Sequence, residues 1–203
     1  MVLIKAAVFL LSLLPFILFW WQAFNHTLGP NPVETALHTS GDWAIRFLLL
    51  TLALPFIKRA ANFNGILRLR RMVGLFAFFY AFLHVGVYLG IDRFFDWEEI
   101  TKDILKRPYI TLGFSAFLGL IPLAATSTNG MMRRLGERWK RLHRLTYVIA
   151  TVAILHYLLS LKADIRMPLI HASVLLSLLI ARAYVQRREI PRNARPLQRS
   201  MQR

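Results

Sequence analysis

The sequence predicts an all-helical integral membrane protein: a bundle of six transmembrane helices with both termini cytoplasmic. Three observations carry that expectation. Hydrophobic residues make up 56% of the 203, with 15 Phe, while only 18% are charged. The apolar residues gather into six runs of roughly 20 residues, the length that crosses a hydrocarbon core. The 26 Lys and Arg and the 10 Asp and Glu fall largely between those runs and divide unequally between alternate connections. A formal charge of +16 alone suggests a nucleic-acid binder, but a soluble domain of that kind does not carry repeated Leu/Ile/Phe runs, so nucleic acid is excluded as a partner. The same apolar content excludes disorder. With no Cys, the chain has no disulfide, thiolate ligand, iron–sulfur cluster or cysteine nucleophile.

The runs lie at about 3–22, 43–59, 72–90, 108–125, 144–161 and 168–185. The first has a weak basic start (Lys5), contains Pro15, and ends on Trp20-Trp21 with no small-residue cleavage site after it, which reads as a retained span rather than a signal peptide. The second is the shortest, bounded by Asp42-Trp43 and Lys58-Arg59, and suits a tilted helix. Pro122 kinks the end of the fourth without forbidding it. In the first outer connection, Gly29-Pro30 and Asn31-Pro32 mark a turn. The connection from Ile91 to Arg107 reads as a short amphipathic segment, with Phe94, Phe95 and Trp97 at the interface and the acids in water. Gly74, Gly86, Gly90, Gly113 and Gly119 let helices approach one another. Six spans leave little room for anything else, so residues 1–203 read as one transmembrane domain.

Orientation follows from loop charge. Lys5, then Lys58, Arg59, Arg68, Arg70 and Arg71, then Arg133 to Arg144, and finally the arginines of the tail all fall on one side, with only Glu137 and Glu189 against them. The other side mixes Arg46, Arg93, Lys102, Lys106, Arg107, Lys162 and Arg166 with most of the acids. Essentially the whole of the +16 therefore lies on one side, which is cytoplasmic by the positive-inside rule. The basic clusters orient the chain and meet anionic lipids; some could also hold an anionic cofactor such as a flavin phosphate.

Of the six His, His26 and His38 fall in the outer loop, as surface or edge residues, whereas His84, His143, His156 and His171 lie within or at the ends of spans. An imidazole in hydrocarbon is costly unless it is paired or ligating. From the rise of a helix, His84 is about 9 Å and His156 about 7.5 Å from the outer ends of their spans. Two rings at one level, on helices running the same way, suit axial ligation of a b-type haem, with Phe78, Phe79, Tyr80 or Phe82 packing on the macrocycle. The alternative is that each ring bonds a backbone carbonyl or a polar partner. His143 is about 19.5 Å further along the helix of His156 and points about 140° away. It could serve an inner centre, but its partner position offers Arg70, Arg71 and Met72 instead of His. His171 opens the last span at the outer level and could ligate, contact a propionate or bind quinone. There is no His-Glu-x-x-His, no pair of intramembrane carboxylates and no phosphate-cradling glycine loop, so metal hydrolysis and a carboxylate proton relay have nothing to run on. Electron transfer is the chemistry for which this inventory suffices.

Three stretches carry a resemblance to a known family. They are Leu28-Gly29-Pro30-Asn31-Pro32 with His38-Thr39-Ser40-Gly41-Asp42-Trp43-Ala44; Leu69-Arg70-Arg71-Met72-Val73-Gly74-Leu75 leading to His84; and Leu123-Ala124-Ala125-Thr126-Ser127 with Leu135-Gly136-Glu137-Arg138-Trp139-Lys140-Arg141-Leu142-His143-Arg144-Leu145-Thr146-Tyr147. On these, and over nearly its whole length, the chain resembles the MsrQ (YedZ) family, within the ferric-reductase-like transmembrane group. The resemblance implies one or two b haems bound through His84, His143 and His156. It also implies FMN held near the cytoplasmic face, for which Arg70 and Arg71, or Thr126, Ser127, Arg133 and Arg134, would supply charge and donors. Electrons would come from the quinone pool or a cytoplasmic flavin reductase. They would leave for a periplasmic, molybdopterin-dependent MsrP-like subunit that reduces methionine sulfoxide in envelope proteins. The chain would then be an electron-transfer subunit in the bacterial inner membrane and not the catalytic reductase. It departs from the wider ferric-reductase pattern in lacking the first His of the third helix. Two rival readings are a stand-alone membrane ferric or quinone reductase, and a non-redox anchor or assembly protein with structural His.

Overall fold

The computed structural model describes residues 2–62, 64–160 and 165–200, with side chains up to Arg187. Lys162, Asp164, the last residue of the expected 144–161 span, and the side chains of the tail arginines past Arg187 lie outside the described residues. Every described element is helical. The helices are α1 (Val2–Phe24), α2 (Pro32–Ala61), α3 (Arg70–Val87), α4 (Trp97–Lys106), α5 (Pro108–Ala125), α6 (Asn129–Leu135), α7 (Glu137–His143), α8 (Leu145–Ser160) and α9 (Arg166–Ser200). A tight 3-10 stretch (Asn64–Leu69) leads into α3, and a wide π turn (Tyr88–Asp92) ends it.

Two closely packed pairs, α2 on α3 and α5 on α8, meet through α2–α8 and α3–α5 contacts, while α9 lies along α8 and α2 and α1 rests lightly on α2 and α3. The core between them is aliphatic and aromatic, and Leu52, Val73, Ala77, Tyr80 and Ala150 are almost wholly enclosed. α1 joins through Tyr80, whose hydroxyl donates to the Ser12 carbonyl at 2.7 Å, and through Phe9–Phe76 and Phe16–Phe79 ring contacts.

α2 begins well before the expected residue 43. Asn31 caps it: its Oδ1 accepts from the Glu34 N–H at 3.3 Å, and its Nδ2 donates to the Glu34 carboxylate at 2.9 Å. Pro32 sits where its missing N–H costs nothing. Asn31-Pro32 therefore starts a helix, and most of the expected outer loop is helical. Asn62, in the left-handed region at φ 50°, closes it. Five helices are long and apolar enough to cross a membrane: Val2–Phe24, Gly65–Asp92, Pro108–Ala125, Glu137–Ser160 and Arg166–Arg187. α2 is not among these five. It sits at the centre of the bundle with eight buried residues, and Asp42, Arg46, Lys58 and Arg59 bracket its apolar stretch.

Two further expectations are met, the second with one added detail. The 91–107 connection does contain an amphipathic helix, α4, capped by Asp96, which accepts from the N–H groups of Glu98 and Glu99. Phe94, Trp97 and Leu105 stand out from it, as an interfacial segment requires. His143 and His156 both lie along the membrane-length helix Glu137–Ser160, on two segments joined through one turn residue, Arg144, whose backbone stays helical at φ -68°, ψ -23°. The chain turns at Arg144 between α7 and α8, and the Thr146 hydroxyl donates to the His143 carbonyl at 2.7 Å, occupying an oxygen at the end of α7.

Leu52, fully enclosed, and Leu50, 38% exposed on the same helix, give a direct test of the core. Leu52→Ala is expected to destabilise the protein by about 2–5 kcal/mol, read as an earlier thermal transition in detergent, with Leu50→Ala close to wild type.

Candidate functional site

His84 on α3 and His156 on α8 face each other across the bundle, their ring centroids 6.1 Å apart and their planes at 75°. Neither ring bonds the other. His84 Nδ1 lies 2.9 Å from the Leu37 carbonyl of α2, and His156 Nδ1 lies 2.6 Å from the Tyr109 carbonyl of α5. A carbonyl oxygen only accepts, so Nδ1 carries the proton in both rings. Each Nε2 keeps its lone pair, the form in which imidazole binds a metal.

Both rings line an outer cavity of about 280 Å³ between α2, α3, α5 and α8, walled by Ile45, Leu48, Ala81, Val85, Phe114 and Phe117. The cavity is apolar along its length and polar at its mouth, where Glu34, His38, Asp42, Arg93 and Arg107 stand. His38 therefore lies at the edge of this cavity, paired with Glu34 at 3.6 Å. Of the aromatic residues expected to flank a macrocycle, none lines it. Phe79 and Tyr80 turn toward α1 and α2, and Phe78 stacks on Phe117 at 5.9 Å. The wall is built by α5 instead, through Phe114 and Phe117.

A buried carboxylate organises the mouth. Asp103 of α4 binds Arg93 at 2.9 Å and Arg107 at 3.1 Å, and accepts from the Tyr88 hydroxyl at 3.0 Å. Arg93 also reaches Asp92 and Glu99. Burial alone would pull the Arg93 guanidinium down, but the carboxylates of Asp103 and Asp92 outweigh it and hold it above its ordinary value.

A second cavity of about 210 Å³ lies on the other side of Leu48 and Leu120, which line both. Its charged lining is cationic, with Arg70, Arg71, Lys140, Arg144 and Arg182; no carboxylate is among the described lining residues, and Lys140 pairs with Glu137 beside the cavity at 2.7 Å. His143 lines it too. Its Nδ1 is 3.1 Å from the Trp139 carbonyl, its ring stacks on Trp139 at 3.9 Å, and its buried Nε2 makes no hydrogen bond of normal geometry. Trp139 Nε1 donates to the Thr126 carbonyl at 2.9 Å, fixing α7 against the end of α5.

The expected site residues thus separate into three groups. His84 and His156 come together in the outer cavity. His143, Arg70, Arg71 and Ser127 come together in the inner one, where Arg71 also donates to Asn129 Oδ1. His171 lines neither: it is buried, its Nδ1 held by the Met167 carbonyl at 2.7 Å and its ring edge-on to Tyr157. Thr126, Arg133 and Arg134 line neither cavity, and the Thr126 hydroxyl is spent on the Pro122 carbonyl. Sequence reasoning missed the Leu37 and Tyr109 carbonyls, which no residue type announces. It also missed the inner-cavity roles of Lys140, Arg144 and Arg182; the Arg182 guanidinium stacks 3.8 Å over the Tyr147 ring.

An all-helical membrane bundle with two imidazoles facing across its core defines a class, and residues 40–154 match the family described as ferric reductase like transmembrane component. Three relatives named protein-methionine-sulfoxide reductase heme-binding subunit MsrQ are similar over most of their length. One from Herminiimonas arsenicoxydans is 49% identical over 90% of this chain and 85% of its own. One from Caulobacter vibrioides is 47% identical over 83% and 80%, and one from Rhodospirillum rubrum is 49% identical over 88% and 86%. The chain belongs to this MsrQ family of ferric-reductase-like transmembrane proteins.

Removing the carboxylate at the outer mouth leaves two guanidiniums facing each other. Arg93 keeps Asp92 and Glu99 and Arg107 is half exposed, so Asp103→Ala is expected to cost about 1–3 kcal/mol locally, seen as faster amide exchange across α4 while α2 and α5 keep their protection.

Proposed function

We propose that the protein is a haem b electron-transfer subunit of a bacterial inner membrane. In this reading it takes electrons from the quinone pool or a cytoplasmic flavin reductase and passes them to a periplasmic, molybdopterin-dependent MsrP-like methionine sulfoxide reductase. The observation that carries the reading is the His84–His156 pair. An iron bound by two imidazoles at about 2 Å sets their ring centroids about 6 Å apart, and here they stand at 6.1 Å. Among the described residues no three His, Cys, Asp or Glu side chains converge on one point. Two imidazoles would suffice to hold a porphyrin iron, and they are too few for a bare ion. When bound, haem supplies reversible one-electron transfer. The chain's own residues hold the imidazoles neutral and oriented, line the cavity with apolar side chains, and close its mouth with the Asp103–Arg93–Arg107 network.

In the same reading α2 is the sixth span of a single 1–203 transmembrane domain. Both termini face the cytoplasm, where the basic residues meet anionic lipid. The inner cavity takes FMN: Arg70, with Lys140, Arg144 and Arg182, offers its phosphate positive charge, Arg71 and Ser127 form the rim, and His143 and Trp139 offer a flat surface to its ring. Arg133 and Arg134, away from the cavity, serve as topogenic charge.

Three outcomes test this. His84→Ala and His156→Ala should each lose the same haem, counted per purified protein and by its reduced-minus-oxidised spectrum; an unchanged count in either removes the pair from the ligand set. Imidazole planes at 75° should give a highly anisotropic low-spin ferric EPR signal, and the rhombic signal of parallel rings would contradict the geometry. Paired Arg70→Ala and Arg144→Ala should lower flavin retained on purification at least tenfold while leaving the His84–His156 haem spectrum intact. A stand-alone reductase is separated by mixing the reduced protein with a periplasmic, molybdopterin-dependent methionine sulfoxide reductase: oxidation that does not depend on it would favour that reading.

A further inference from the structure

We infer that Gly41 and Gly113 are positioning residues for the two facing imidazoles, each forming with the carbonyl one helical turn before it a backbone notch that seats an imidazole by its Nδ1 edge. The inference rests on the reading that His84 and His156 bind iron. A Cβ on Gly41 would lie 3.2 Å from Cε1 and Nδ1 of His84, and a Cβ on Gly113 would lie 2.9 Å from Cε1 and Nδ1 of His156. Both separations fall inside ordinary carbon contact of about 3.5–4.0 Å. The carbonyl that receives the His84 proton belongs to Leu37, four residues before Gly41. The one that receives the His156 proton belongs to Tyr109, four residues before Gly113.

That repeated spacing has a geometric cause. In a helix the carbonyl of residue i points along the axis toward residue i+4, so the side chain at i+4 stands beside that oxygen. Hydrogen at i+4 lets a neighbouring helix's imidazole lie flat enough to donate to the oxygen beside the helix's own bond; at Leu37 the Ser40 hydroxyl also lies 3.2 Å from that oxygen, its shorter bond going to Ala36 at 2.6 Å. The construction occurs twice, on different helix pairs: α2 receives His84 of α3, and α5 receives His156 of α8. It is not a general property of glycines here. Gly86, on α3 close to His84, has nothing within 4 Å of its Cβ position, and Gly119, on the same α5–α8 contact as Gly113, meets only Ile149 at 3.0 Å. The notch fixes the tautomer and the rotation of each ring together, as partners of metal-binding His do elsewhere, where their loss costs about 10- to 100-fold in affinity.

The test uses the full chain in detergent. Haem affinity is measured by titrating protein made under haem limitation, and ring orientation by low-spin ferric EPR, a signature that general loosening of the bundle does not shift in a defined direction. Gly113→Ala, with the tighter contact, should weaken haem binding about 10- to 100-fold. Gly41→Ala should keep haem but move its largest g value. Gly86→Ala and Gly119→Ala should match wild type in both measurements. Wild-type affinity and EPR in both Gly41→Ala and Gly113→Ala would overturn the inference, as would a Gly119→Ala effect equal to that of Gly113→Ala. If Gly113→Ala does not fold, Gly41→Ala decides alone: an unchanged g value overturns the notch and a shifted one supports it. His156→Ala separates the two levels. Haem retained there refutes the ligand pair itself, whereas haem lost there with silent glycine variants refutes the notch alone.

Discussion

An imidazole buried in a membrane bundle has two nitrogens to satisfy and no water to do it, and the arrangement of α2, α3, α5 and α8 follows from that need. The Nδ1 protons of His84 and His156 are taken by carbonyls of α2 and α5. Those carbonyls belong to helices already bonded internally, so α2 must lie against α3, and α5 against α8, at a fixed rotation. The two closest helix contacts in the fold are these same pairs. Satisfying the imidazoles and packing the core are therefore one geometric requirement, and the second nitrogen of each ring is left over for chemistry.

Charge is handled in opposite ways at the two cavities. At the outer mouth Asp103 is enclosed by two guanidiniums and a phenol, so the cations there are already paired. At the inner cavity five cationic side chains converge with no carboxylate among the described lining residues. The first set is paired within the protein; in the second only Lys140 has a carboxylate partner, Glu137 at 2.7 Å, which is why the proposed function gives this cavity an anion. That contrast, more than the number of basic residues, distinguishes the two ends of the bundle.

The sequence made the outer pair legible because depth in a helix is simple to compute: residues six and five from the ends of apolar runs had to stand at similar levels. The start of α2 could have been read from Asn31-Pro32, a cap followed by a first-turn proline, but the same residues also spell a turn. The one-residue turn at Arg144 has no sequence signal because nothing in Leu142-His143-Arg144-Leu145 interrupts helical periodicity; a side-chain hydroxyl, Thr146, marks it. The expected phenylalanines failed because they were chosen for nearness to His84 along the chain. The α3 face that carries Phe79 and Tyr80 belongs to α1 and α2, and the cavity wall comes from Phe114 and Phe117 of α5.

Leu48 and Leu120 line both cavities, so the two hollows are kept apart by a septum about one side chain thick, with the Phe78–Phe117 stack beside it. Such a wall is opaque to hydrated ions, which would have to shed their water in an aliphatic layer. It is also thin, since Leu48 and Leu120 each present a surface to both cavities. In the proposed electron-transfer reading, such a septum would block protons and salt while letting charge without mass pass, the combination a membrane needs if reducing power is to cross it while its ion gradients stay.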